Sequence, residues 1–169
     1  MKKPLSVCVV APIVFVGLLL GAITQAKAGT TSTSFTSSAT VNALCKTLTA
    51  SDLAFGTYDP TSVSDTTATT TVGVTCTNGT VASIEFSAGT TSGATAAQRK
   101  MASSGHTLNY NLYTSNGYTQ VLDATHKLQA TGNGLGTSVS VTAYGMIPKG
   151  QLDTFTGSFS DSITVTVTY

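Results

Sequence analysis

The sequence predicts an all-β exported protein, an antiparallel β-sandwich one strand short of complete. Three observations carry that expectation. Apolar residues recur at every second position in short runs separated by turn dipeptides, and no segment sustains a helical period. No further strand follows the last run, residues 162–169, in which Ile163, Val165, Val167 and Tyr169 alternate with threonines. At the other end, residues 29–44 alternate as a strand should, but no turn leads them back into a hairpin.

Residues 1–28 are expected to be a cleaved secretory signal. Lys2 and Lys3 form a basic start, residues 5–23 an apolar run, and Ala26-Lys27-Ala28 a small-x-small cleavage site that places the cut between Ala28 and Gly29. An uncleaved anchor is the competing reading, because about 20 apolar residues span a bilayer. The cleavage signature directly after the run argues against it. Cys8 is a poor lipoprotein cysteine, since Val7 rather than a small residue precedes it.

Removal of Lys2, Lys3 and Lys27 leaves five basic against seven acidic residues, a formal charge of −2. No basic patch remains, so nucleic acid is not an expected partner, and neither is stable membrane insertion once the signal is gone. Charged residues make up only 9% of the chain while Thr, Ser and Gly abound, which fits strands with an uncharged polar surface. A single domain of this length can bury about two-thirds of its unfolded surface.

The strands are expected in order. Val72, Val74 and Cys76 share one face, and Asn78-Gly79 then marks a tight turn. Ala82, Ile84, Phe86 and Ala88 point inward while Ser83 and Glu85 point out. Leu108, Tyr110 and Leu112 alternate with Asn109, Asn111 and Tyr113, and Asn116-Gly117 is a second turn. Val139, Val141 and Ala143 follow, then the closing run. Residues 89–105 and 125–136 are expected as surface loops, with Arg99-Lys100 a solvated pair. Within residues 29–44, Thr31, Thr33, Phe35, Ser37, Ala39, Val41 and Ala43 lie on one side. An ordinary first strand with a frayed leader fits the same alternation.

Catalysis has little to stand on. His106 and His126 are the only histidines, and both lie in or beside polar stretches. No nucleophile elbow, metal-ligand spacing or phosphate loop occurs. Asp52, Asp59, Asp65, Asp153 and Asp161 fall near turns, where backbone hydrogen bonding favours Asp. Asn78-Gly79-Thr80 fits a glycosylation sequon but reads better as a turn. The chain is therefore expected to be no enzyme and to need no cofactor or metal. Cys45 and Cys76, the two cysteines left in an oxidising compartment, are expected to pair; a metal or redox pair at that spacing has little support.

The ordered set of motifs resembles the spore coat protein U domain family. It begins with Ala39-Thr40-Val41-Asn42-Ala43-Leu44-Cys45 and Leu53-Ala54-Phe55-Gly56-Thr57-Tyr58-Asp59-Pro60. Val72-Gly73-Val74-Thr75-Cys76-Thr77-Asn78-Gly79 and Arg99-Lys100-Met101 follow. Leu108 to Tyr113, Tyr144-Gly145-Met146-Ile147-Pro148, Gly157-Ser158-Phe159-Ser160-Asp161 and Val165 to Tyr169 complete it.

The resemblance implies an incomplete Ig-like β-sandwich lacking its last strand and completed by donor-strand exchange. It implies a signal peptide at 1–28, a donor-strand extension at 29–39 and the pilin-like domain at 40–169. The family disulfide falls on Cys45 and Cys76, and the donor positions on Thr31, Thr33, Phe35, Ser37 and Ala39. The C-terminal strand facing a chaperone carries Ile163, Val165, Val167 and Tyr169. The implied function is that of a structural subunit of a chaperone–usher surface pilus supporting adhesion and biofilm formation. Its partners would be further copies or co-pilins, a periplasmic chaperone and an outer-membrane usher. The alternatives are a spore-coat-type or other secreted structural protein, or a minor or adhesive pilus subunit. Only Phe35 is bulky among the donor positions, a departure from the usual donor pattern.

Overall fold

A computed structural model describes residues 27–169. Contacts divide the chain into two units, 1–39 and 40–169. In the first, residues 27–39 carry no regular secondary structure and are solvent-exposed. The expected signal peptide lies almost wholly outside the described residues.

The second unit holds eight strands and, among the described residues, no helix. They are β1 (Cys45–Ala50), β2 (Thr66–Cys76), β3 (Val81–Phe86), β4 (Arg99–Ser103), β5 (His106–Tyr113), β6 (Leu128–Thr131), β7 (Val139–Ile147) and β8 (Val165–Thr168). Two antiparallel sheets result, one of five strands in the order β1-β2-β7-β5-β4 and one of three in the order β6-β3-β8. The period-2 sequence pattern decides which side of each strand is apolar, and those sides meet in one core. Val72 and Val74 of β2, Ile84 of β3, Leu112 of β5 and Ile147 of β7 are all essentially inaccessible to water.

Cys45 and Cys76 face each other across the β1–β2 ladder and are joined by a disulfide. The Asn78-Gly79 turn follows β2 directly, and Gly79 has a left-handed φ of 78°. The turn is no hairpin: it delivers the chain from the five-stranded sheet to β3 in the other sheet.

Four expectations are corrected. Residues 125–136 contain β6, which pairs with β3 and buries Ala130. The polarity of Gln129 and Thr131 hid a short strand whose inward residues are Leu128 and Ala130. Residues 89–105 contain β4, paired with β5 along its whole length. Arg99, expected in solvent, is completely buried.

Its burial has a physical account. Nε donates to the Ser87 carbonyl at 2.8 Å, and Nη1 to the Ala96 carbonyl and Asn111 Oδ1 at 2.9 and 2.7 Å. Nη2 donates to the Phe86 and Leu122 carbonyls at 2.9 and 3.0 Å. All five guanidinium donors are thus used. Burial pulls the Arg99 pKa down, while the fields of Tyr110, Asp161 and Asp123 oppose it. Asn111, expected on the wet side of its strand, is buried as part of this cluster. Arg99 therefore ties the end of β3 to β4 and β5, joining the two sheets.

Replacing Arg99 with Met leaves those acceptors unpaired and is expected to cost about 3 kcal/mol or more, read as a lower urea midpoint with an unchanged slope. The Cys45–Cys76 bridge has a sequence separation of 31. Its loss in a Cys45→Ser, Cys76→Ser double variant is expected to cost about 3–4 kcal/mol, and reductant should then leave the variant's midpoint unmoved while lowering that of the parent.

Candidate functional site: an open cleft beside the last strand

β8 is bonded to β3 along one edge, from Phe86↔Val165 to Ser83↔Thr168. Its other edge has no strand partner among the described residues. The inward side chains of the two neighbours differ in cover. Ala82, Ile84 and Phe86 of β3 are buried, whereas Ile163, Val165 and Val167 are only half-buried. Across the sandwich, β1 is likewise an edge strand, with Leu48 and Ala50 exposed.

A cleft of about 410 Å³ opens between these two edges, floored by Val72, Phe86 and Leu112 and flanked by Ala50, Ile163 and Val165. A second cleft of about 610 Å³ shares Leu53, Phe55, Met101 and Phe159 with the first and continues past Tyr58, Leu108 and Ile147.

The segment after β1 builds one wall. Leu53 and Phe55 rest on Gly145 of β7, where a Cβ would come within 2.7 Å of Leu53 and 2.8 Å of Phe55. Glycine is required there for that close approach. The Phe55 ring meets Tyr110 edge-to-face at 5.9 Å. The Tyr58 hydroxyl donates to the Pro148 carbonyl at 2.9 Å and accepts from the Gln151 N–H at 3.1 Å. These contacts explain the Leu-x-Phe-x-x-Tyr pattern of residues 53–58.

Asp161 anchors the opposite wall. Ser160 exchanges two backbone hydrogen bonds with Ala102 of β4, and the chain then crosses to the other sheet to become β8. At that crossing Asp161 Oδ1 accepts from the N–H groups of Thr90 and Thr91 at 2.9 and 3.3 Å, and from both threonine hydroxyls. Oδ2 accepts from the Tyr110 hydroxyl at 2.9 Å. Gly89, at φ 93°, has no room for a side chain, because a Cβ would lie 2.7 Å from the Asp161 carboxyl carbon. Burial pulls the Asp161 pKa up, but the donors from Thr90, Tyr110, Ser162 and Thr91 outweigh it and hold the carboxyl below its ordinary value. Burial, with help from Asp161, raises the Tyr110 pKa far above the usual phenol range, so the hydroxyl stays a donor.

The sequence-predicted positions fall in three places. Ile163, Val165 and Val167 line the open side of the core, with Tyr169 just beyond β8 and 54% exposed. Ala28, Gly29, Thr31, Thr33, Phe35, Ser37 and Ala39 lie in the exposed segment, where Phe35 is 91% exposed. Cys45 and Cys76 close the far end of the β1–β2 ladder. Sequence reasoning passed over Arg99 as solvated and Asp161 as an ordinary turn residue. It could not assign Leu53 and Phe55 to a wall. The alternation at 53–55 was the one available signal. Among the described residues no group of three or more His, Cys, Asp or Glu side chains is placed to hold a metal.

A depressed carboxyl pKa stabilises the fold above the unfolded value of about 3.9, and the contribution is lost as pH falls through the lower folded value. Stability is therefore expected to drop below about pH 4. Asp161→Asn should flatten that acid limb and cost about 1–2 kcal/mol at pH 7, as measured by chemical denaturation at a series of pH values.

The family model of the Spore Coat Protein U domain matches residues 31–166. Among solved structures, one match is a chain of the CsuC–CsuE chaperone–tip adhesion subunit pre-assembly complex from archaic chaperone–usher Csu pili of Acinetobacter baumannii. The TM-score is 0.54 at 21% sequence identity, covering 77% of this chain and 40% of that chain. The likeness is one of fold, and this chain spans about two-fifths of the length of the solved chain. Comparison with curated proteins gives no match. With four-fifths of its length matched by the family model, the chain belongs to the Spore Coat Protein U domain family.

Proposed function

We propose that this chain is a structural subunit of a chaperone–usher surface pilus, exported through a signal at residues 1–28 and polymerising by donor-strand complementation. The observation that carries the reading is the edge of β8, unpaired among the described residues, beside a cleft with an apolar floor. Such an edge presents unpaired N–H and C=O groups, and the cleft presents apolar surface; both are aggregation hazards in an isolated molecule. An added strand satisfies the first with a ladder and the second with alternate side chains. Each ladder bond adds about 1 kcal/mol net. A large apolar side chain such as Phe35 adds about 1.5–3 kcal/mol, and Thr33, Ser37 and Ala39 add less.

Residues 29–39 supply such a strand: exposed, free of Pro and free of charge. Offered to the cleft of a second copy or a co-pilin, the segment makes a head-to-tail contact that does not close, and so a filament. A periplasmic chaperone covers the cleft beforehand along Ile163, Val165, Val167 and Tyr169, and an outer-membrane usher exchanges it for the next subunit. The solved pre-assembly complex of a chaperone with a pilus subunit supports this order of events. The fibre then serves attachment and biofilm formation at the cell surface.

A secreted coat protein that assembles without an usher is the second reading, favoured by the family's own name. Deletion of residues 29–39, with the rest of the pilus machinery co-expressed, separates the two. The truncated subunit is expected to co-purify with its chaperone but to give no ladder of multimers on an unheated denaturing gel, where the full chain gives one that collapses on boiling. A ladder from the truncated protein refutes the donor assignment; full-length protein that is soluble and monomeric without any chaperone refutes the pilus reading.

A further inference from the structure

The chain contains three asparagine–glycine steps, Asn78-Gly79, Asn116-Gly117 and Asn133-Gly134, and all three asparagines are exposed. Glycine has no Cβ to shield its nitrogen, so this dipeptide is the one most open to attack of the backbone on the preceding side-chain amide. The first two steps hold the same positions in two four-residue turns, although Gly79 is left-handed at φ 78° and Gly117 is not. The Thr80 N–H donates to the Thr77 carbonyl at 3.1 Å, and the Tyr118 N–H to the Ser115 carbonyl at 3.2 Å. Each turn sets Asn second and Gly third.

The glycine nitrogens differ. The Gly79 N–H donates to the Gly132 carbonyl at 2.9 Å, and the Gly132 N–H returns a bond to the Thr80 carbonyl at 2.8 Å. Gly132 is itself pressed against β2, where a Cβ would lie 2.8 Å from that of Cys76, so this clamp has little play. The Gly134 N–H donates to the Cys76 carbonyl at 3.1 Å. The Gly117 N–H takes part in no hydrogen bond among the described residues.

We propose that Asn116 is a site of spontaneous covalent modification, and that hydrogen bonds to the glycine nitrogen protect Asn78 and Asn133 from the same reaction. Hydroxide takes the Gly117 amide proton, and the nitrogen attacks Asn116 Cγ. The N–Cγ bond forms, the Cγ–Nδ2 bond breaks, and Nδ2 departs as ammonia with a proton from water. Water then opens the cyclic imide at either carbonyl, leaving aspartate or, with the main chain rerouted through the side chain, isoaspartate. Water is the only co-reactant, and the exposed turn admits it. A bonded glycine N–H can neither lose its proton nor swing toward the side chain until the bond opens.

The product matters locally. Tyr118, held at a left-handed φ of 51°, meets Tyr113 edge-to-face at 5.5 Å and Tyr144 at 6.5 Å. Isoaspartate lengthens the main chain inside the turn, loosening the Tyr118–Ser115 bond and the Thr114 N–H to Gln120 carbonyl closure at 3.0 Å. A new carboxylate also arrives beside these rings in a chain with few charges. Residues 113–118 line neither cleft, so the inference stands apart from the pilus reading.

The test is incubation of the folded wild-type protein at mildly alkaline pH, with peptide mapping by mass spectrometry at intervals for replacement of the amide NH₂ by OH. Asn116 is expected to convert at least about tenfold faster than Asn78 or Asn133, equivalent to an opening free energy of about 1.4 kcal/mol at the protected sites. In denaturant the three rates should converge, and Gly117→Ala should slow the Asn116 reaction in the folded protein. Equal rates at the three sites in the folded state, Asn78 reacting first, or Asn116 remaining intact while the unfolded chain reacts everywhere, would each overturn the proposal.

Discussion

Every buried backbone N–H and C=O needs a partner, and every edge strand must be paired, covered or left to water. β8 meets that constraint on one side only. Its ladder to β3 places Val165 and Val167 on the core side of the three-stranded sheet, yet their second flank has no neighbour among the described residues. The half-burial of Ile163, Val165 and Val167, beside the complete burial of Ile84 one strand over, is the imprint of that missing flank. The cleft between β8 and β1 is the same fact expressed as volume.

A sandwich open along one side needs other ties between its sheets, and polar groups provide two. Arg99 reaches from β4 to the last carbonyl of β3 and the one after it, and also holds the Leu122 carbonyl. Asp161 fastens the crossing from β4 to β8 onto Thr90, Thr91 and Tyr110. Both are charged groups whose cost of burial is met by charge-assisted hydrogen bonds rather than by an ion pair. Hydrogen bonds have direction where apolar contacts do not, so the Arg99 cluster fixes the two sheets against each other and the Asp161 cluster fixes one wall of the cleft.

The family assignment and the open edge rest on separate observations. The family model covers residues 31–166, so it includes the exposed leading segment from Thr31 onward and the first half of β8. The solved neighbour shares the fold at 21% identity over 77% of this chain. At that identity the agreement lies in the path of the backbone, and the residues lining the cleft are this chain's own.

What could be read from the order of residues was local and periodic. Alternation at 72–76, 82–86, 108–112 and 139–143 identified strands and their inward faces, because the pleat imposes a period of two wherever one face is dry. The turns at Asn78-Gly79 and Asn116-Gly117 were legible because glycine and asparagine relieve the strain of tight reversal. Folding in three dimensions settled what no local pattern encodes. β4 and β6 are short with few large apolar residues, and became strands because β5 and β3 offered ladders to them. Arg99 is buried because carbonyls from four different segments converge on it, and a side chain's value depends on acceptors up to 23 residues away. The Asn78-Gly79 turn changes sheets rather than closing a hairpin, since sheet membership is fixed by pairing partners far along the chain. Local pattern reports which face of a strand avoids water; only the assembled fold decides which strands lie side by side and which edge is left without a neighbour.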